Sequence, residues 1–232
     1  MKIIKNEKLI KRNGKIGGWA LLLATIILGS GLYVTLQNRA NPQYVYYAFI
    51  GFIVGFILMQ IGSYLTARYG GSPRLDEKVD AALKGLQNEY TIYHYTAPVS
   101  HLLLGPAGIW VVMPYHQRGK ITYAKNRWRI SGGGFAQSYM RILGPEGIGR
   151  PDIEMDNEVK SLKKYFTKKM DESEIPEINA LMVFTDDNIE LDVDHAPIPF
   201  MKLKQLKDFI RQKAKEKKLS AEKLNELKTA LE

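Results

Sequence analysis

Two histidines carry the first chemical possibility. His94 and His101 lie seven positions apart on adjoining apolar, β-forming stretches and could face a common pocket, as metal ligands or as an acid–base pair. No Asp or Glu falls between Tyr90 and Glu146, so nothing nearby in sequence completes a metal site, and ordinary core or edge histidines are the simpler expectation. Asp186, Asp187 and Asn188, with Asp192 and Asp194, offer oxygens suited to Ca2+. Their spacing is not that of an EF-hand loop, and acids at a strand end are usually solvated. Glycines crowd residues 132–134 and 144–149, but without the Gly-Lys-Ser/Thr ending of a phosphate cradle, so this stretch reads as a loop suited to docking a partner. The chain has no cysteine, which excludes disulfides, thiolate zinc sites and iron–sulfur clusters.

The elements that must position these groups divide the 232 residues sharply. No Asp, Glu, Lys or Arg occurs from Ile16 to Asn38, or from Ala40 to Ala67. The stretches Ile16–Leu36 and Tyr44–Leu65 are each long enough, at about 1.5 Å per residue, to cross the roughly 30 Å hydrocarbon core of a bilayer. The short polar link between them can only join antiparallel helices. The net charge of +9 is concentrated here: residues 1–67 carry +6, and the remainder only +3. Basic residues beside an apolar run read as membrane orientation more than as a nucleic-acid surface, and place both termini in the cytoplasm. The first apolar run is too long for a cleaved signal peptide, and no small-x-small site follows it. Gly51 and Gly55 form a GxxxG suited to helix packing, while Gly29 and Gly31 thin a face of the first helix. Neither span carries an ionisable side chain that would mark an ion path. The pair therefore reads as an anchor or assembly surface.

Beyond a linker at 68–74, the pattern predicts a helix from Leu75 to Leu86 and a strand from Tyr90 to Tyr95. A hairpin follows, Val99–Leu104 with Ile109–Pro114 around Gly105-Pro106-Ala107-Gly108, and then two short strands around Lys125-Asn126. Residues 131–150 read as loop. Helix Asp156–Lys169, strand Ile178–Thr185, a weaker strand Asp192–Ile198, and helices Lys202–Lys217 and Ala221–Leu231 complete the order, with Ser220 as cap of the last. Lys160, Lys163, Lys164, Lys168 and Lys169 on the first of these helices, and Arg118, Lys120, Lys125, Arg127 and Arg129 on the meander, could meet nucleic acid or anionic headgroups, although solvated faces are commoner.

This order, and above all the run Val99-Ser100-His101-Leu102-Leu103-Leu104-Gly105-Pro106-Ala107-Gly108-Ile109-Trp110-Val111-Val112, resembles the nuclease-related domain, NERD, a branch of the PD-(D/E)xK endonuclease-like fold. The resemblance runs from about Leu75 to Arg211 and includes Gly119, Ile121 and Trp128. It implies Mg2+ held by an Asp and a Glu at two strand ends, with a Lys two residues beyond the Glu and a helix Glu in support. Residue by residue, the helix Glu matches Glu77. The Asp position holds Ser100, the Glu position Met113 and the Lys position Tyr115. A shift of register does not restore the motif.

The expectation is an α+β protein: a basic N-terminus at 1–15, a transmembrane hairpin at 16–67, a linker at 68–74, a cytosolic NERD-like mixed-sheet domain at 75–211, and a C-terminal helical tail at 212–232. It is expected to have no cofactor and no catalytic or metal residues, and not to be an enzyme. It is expected to sit in a prokaryotic cytoplasmic membrane as a two-pass protein. Its partners are the lipid bilayer and a membrane protein or copies of itself, with nucleic acid not favoured.

Overall fold

The computed structural model describes residues 1–37, 42–132, 148–193, 195–216 and 218–231. The Gly133–Gly134 pair, the glycine run from 144 to 147 and Asp194 therefore lie outside the described residues. The chain is mixed α and β and forms two compact units: the long helices of residues 7–74, and residues 1–6 together with the described residues from 75 onward.

The first unit is an antiparallel helical pair, α1 (Glu7–Gln37) and α2 (Pro42–Tyr69). Both are long and apolar enough to cross a membrane, with mean hydropathies of 1.9 and 2.0. Small residues build the seam between them. Gly17, Ala24 and Gly31 on α1, and Ala48, Gly55 and Gly62 on α2, are buried at seven-residue intervals. A Cβ on Gly62 would stand 3.1 Å from the Gly17 carbonyl oxygen, and one on Gly31 would stand 3.5 Å from that of Ala48. Where the backbones come this close, only small residues fit. Trp19, Ile26, Tyr33, Phe49, Ile53 and Ile57 point outward and exposed. The expected Gly51–Gly55 packing is unequal: Gly55 abuts Leu28, whereas Gly51 makes only ordinary contact with Ile27. Gly29 and Gly31 do not share a face, for Gly31 meets α2 and Gly29 meets nothing. Gly17 and Gly62 do more of the packing than either motif suggested.

The second unit is built on a six-stranded sheet of order β1-β2-β3-β4-β7-β9. Its strands are β1 (Lys2–Lys5), β2 (Thr91–His94), β3 (His101–Gly105), β4 (Gly108–Tyr115), β7 (Ile178–Phe184) and β9 (Phe200–Lys202). Only β3 runs against the others. A smaller sheet of order β6-β5-β8 is formed by β5 (Lys120–Ala124), β6 (Arg127–Ser131) and β8 (Glu190–Asp192).

Helices cover both faces of the main sheet, which is why its central strands β3, β4 and β7 are largely continuous apolar runs instead of alternating ones. On one face α3 (Leu75–Leu83) and α5 (Leu206–Glu216) bring Val79, Leu83, Leu206 and Ile210 onto Ile92, Leu103, Trp110, Val112, Leu181 and Val183. On the other, α4 (Pro151–Phe166) and α6 (Ala221–Leu231) pack Leu162, Phe166, Leu224 and Leu227 onto Tyr93, Leu102, Leu104, Ile109 and Val111. A third cluster, including Ile121, Trp128, Met182 and Phe184, lies under the small sheet.

Three boundaries differ from the sequence expectation. Residues 2–5 are a strand of the main sheet and residues 7–15 belong to α1, so the basic N-terminus at 1–15 is divided between two elements. The tail expected from residue 212 begins inside α5, and its last helix is part of the core. The strand expected at Asp192–Ile198 is replaced by two three-residue strands, β8 and β9, ending at Asp192 and starting at Phe200. Strands this short are fixed by the neighbour they pair with, not by their own composition.

Candidate functional site

Because β1, β2, β4, β7 and β9 are parallel, their carboxyl ends share one edge of the sheet, and β3 begins there. Polar side chains gather at this edge on both faces. On the α3 face, His94 ends β2 and stands opposite His101 in one register and opposite Lys5 in the other. Asp76 and Asp80 come down from α3, one turn apart, beside the apolar Val79 and Leu83.

The result is a chain of ionisable groups, buried at Asp76, His94 and His101 and partly exposed at Lys5 and Asp80. Lys5 Nζ reaches Asp76 Oδ2 at 3.1 Å and also pairs with Asp80. Asp80 Oδ1 lies 2.9 Å from His94 Nε2, and His94 Nδ1 lies 2.7 Å from His101 Nδ1. Tyr95 packs its ring edge-on to His101, with centroids 5.0 Å apart. Its φ of 58°, the left-handed region, lets the backbone turn so that its N–H donates to the Ser100 carbonyl. Asp76 and His94 are fully buried. Burial works against the Lys5 charge, but hydrogen bonds to Asp80 and Asp76 and their negative charges outweigh it, holding the ammonium above the ordinary lysine value. Asp76 also lies in the first turn of α3, where the helix dipole favours an anion.

On the opposite face, α4 supplies two more carboxylates. Glu158 accepts from both the backbone N–H and the hydroxyl of Ser100, at 3.3 and 3.2 Å. Glu154, one turn earlier, accepts from the Tyr115 hydroxyl at 3.1 Å. Two positions singled out by sequence, Ser100 and Tyr115, are thus each tied to a glutamate that the local sequence does not reveal. Met113 is half-buried on β4, and Glu77 is half-buried on α3; the α3 carboxylates that meet Lys5 and His94 are Asp76 and Asp80.

No family model, curated protein or solved structure matches the chain. What the edge can do must be read from its own atoms.

Among the described residues there is no group of three or more His, Asp or Glu placed to hold a metal ion. In the α3-face chain the cation shared by the two carboxylates is Lys5 itself. The two histidines do face one another, as their spacing allowed, and their acid is supplied by α3. Two acids of the possible calcium group are engaged separately: Asp186 pairs with Arg118 at 2.7 Å and accepts from the Asn188 N–H, while Asp192 pairs with Lys120 at 2.7 Å. Of the basic residues, Lys160 pairs with Asp156, Lys163 with Glu172, and Lys120 with Glu190 and Asp192. Lys125, Arg127 and Arg129 are exposed around the β5–β6 hairpin.

Asp76 and Asp80 carried a signal that could have been found. They are acids interleaved with Val79 and Leu83 on the buried side of one short helix, where a carboxylate needs a partner. Lys5, Glu154 and Glu158 carried none, because their partners lie far along the chain.

Proposed function

We propose that the protein is a membrane-anchored, non-catalytic subunit or scaffold, held by α1 and α2 as a two-pass anchor in a prokaryotic cytoplasmic membrane with both termini in the cytoplasm. In this reading residues 75–211 form the bulk of a NERD-like domain, and the protein works by assembling with a membrane partner or with copies of itself. The observation that carries it is β1. Residues 2–5, ahead of the helical pair, hydrogen-bond to residues 90–94 behind it. A chain that starts and resumes in one folded unit supports an even number of crossings between, independently of its charge distribution. The outward apolar side chains of α1 and α2 support lipid contact.

The engagement of Ser100 by Glu158 and of Tyr115 by Glu154 supports a structural use for the positions where the resemblance would need Asp and Lys. Native mass spectrometry of the protein, purified from its own membranes in mild detergent, tests the proposal. Stoichiometric companions or a homo-oligomer are expected, and a monodisperse monomer that binds nothing overturns it.

Lys125, Arg127 and Arg129 favour a second reading, a membrane-tethered nucleic-acid-binding module. It requires DNA or RNA affinity that falls steeply with salt, and no affinity at low salt ends it. A residual nuclease is tested with Mg2+ or Mn2+ beside a Glu77→Ala control, where equal cleavage by both proteins means contamination.

A further inference from the structure

The Asp80–His94–His101 chain has room for a limited number of protons, and this gives it a property beyond holding the fold. A carboxylate only accepts, so His94 Nε2 carries a hydrogen toward Asp80 Oδ1. The 2.7 Å between the two Nδ1 atoms holds one hydrogen. With both rings neutral, His101 Nδ1–H donates to His94 Nδ1. One added proton is accommodated by reversing that bond: His94 becomes an imidazolium donating to both Asp80 and His101. A second added proton sets N–H against N–H and two cations side by side, and the contact cannot persist.

Among the described residues the groups around this pair include Lys5 from β1, Asp76 and Asp80 from α3, and Tyr95 beside His101. With the two α3 carboxylates ionised, Lys5 and one imidazolium already balance them, so the second proton adds a positive charge that nothing in the group offsets. The element exposed to its loss is β1. It is a four-residue edge strand paired on one side only, its last backbone bond runs from the Asn6 N–H to the His94 carbonyl at 3.0 Å, and its Lys5 is opposite His94. Short edge pairings of this kind open at lower free energy than the central strands.

We propose that Asp80, His94 and His101 form a proton-sensitive latch that keeps β1 in the sheet and releases it on acidification. Release frees the residues immediately ahead of α1 while β4 and β7 stay paired.

The test is hydrogen exchange on the full-length protein in detergent micelles, at about pH 8 and about pH 5, the range over which imidazoles change charge, corrected for the intrinsic pH dependence of exchange. Protection of the Asn6 amide is expected to fall about tenfold or more, while that of the β7 amides stays constant. In His101→Gln, whose amide can donate to His94 but takes up no proton, the Asn6 amide is expected to stay protected at both values. Constant Asn6 protection in the native protein, a parallel fall in β7, or an undiminished fall in His101→Gln each overturns the latch. Since His101 is buried, a variant there could fail to fold, and nitrogen NMR of the native imidazoles provides a second measurement. The pair should take up its second proton in the pH range where Asn6 loses protection. A doubly protonated pair beside a protected Asn6 amide overturns the proposal.

Discussion

The Lys5 ammonium lies 3.1 Å from the Asp76 carboxylate, although the two residues are 71 positions apart and the whole helical pair lies between them in sequence. The sheet-containing unit is therefore discontinuous: it starts with β1, is interrupted by α1 and α2, and resumes at α3. Lys5 and Asp76 stand at the two ends of that interruption, and their ion pair closes it.

Removing Lys5 should be costly for this reason. Lys5→Met leaves Asp76 buried without its ammonium, and the expected loss is about 3 kcal/mol, the lower end for breaking a buried pair because Lys5 is partly exposed. Lys5→Met combined with Asp76→Leu should recover much of it. Chemical unfolding of the detergent-solubilised protein measures both. A double variant no better than the single one would remove the ion pair from the explanation.

Stability should decline at alkaline pH, and two groups at the β1–β2 edge set the window. Lys5 is held above its ordinary 10.5 against the cost of burial, by Asp80 and Asp76. Burial pushes the Tyr90 phenol above its ordinary 10.0, only partly opposed by a backbone hydrogen bond from Ala107. Both pKa values are raised in the folded state, so the unfolded chain loses these protons first as pH rises. Their contribution is complete below about pH 10 and is lost as pH climbs through the folded values. A Lys5→Met/Tyr90→Phe protein should show a flatter decline in its urea midpoint above about pH 10. An equally steep decline would assign the effect elsewhere.

Gly105→Ala should destabilise the sheet by about 1–3 kcal/mol. The Tyr90 ring occupies the space a Cβ at Gly105 would need, and Tyr90 is itself buried with its carbonyl accepting from the Lys2 N–H. The ring cannot yield without disturbing β1. Thermal unfolding gives the cost, and exchange at the Lys2–Asn6 amides should rise with it.

In the helical pair, Gly62→Val should weaken the α1–α2 seam by about 1–3 kcal/mol, because its Cβ would stand 2.9 Å from the Leu21 backbone nitrogen. Gly18→Val makes the same change in helix propensity at a position with nothing within 4 Å, and should be close to neutral. Denaturation of helicity in mixed micelles compares the two. Equal losses would mean the glycines act through helix propensity alone.

What could be read from sequence is what is local. The β3–β4 hairpin follows from Gly105-Pro106-Ala107-Gly108, whose last glycine takes φ 101° to close the turn. The β5–β6 hairpin follows from Lys125-Asn126, both left-handed at 52° and 56°, as a two-residue hairpin loop requires. Ser220 caps α6 by accepting from the Lys223 N–H. Lys2-Ile3-Ile4-Lys5 was unreadable as a strand because its partner starts at Thr91, and nothing in four residues names a neighbour that far away. The site was half-legible on the same principle. The two histidines meet as neighbours across a β-ladder, while the acids that complete them, and those holding Ser100 and Tyr115, come from helices whose placement depends on the whole core.

The discontinuity also orders the protein's biosynthesis. For a chain anchored as proposed, Met1–Asn6 leave the ribosome ahead of both helices, yet the strand they join is not made until some 85 residues later. In that arrangement the second crossing returns the chain to its starting side, where β1 can dock. A molecule with one helix inserted, or with its first segment carried across, would leave the edge of β2 uncovered and Asp76 without Lys5. Under the proposed anchoring, completion of the sheet therefore separates the two-pass arrangement from these single-crossing ones.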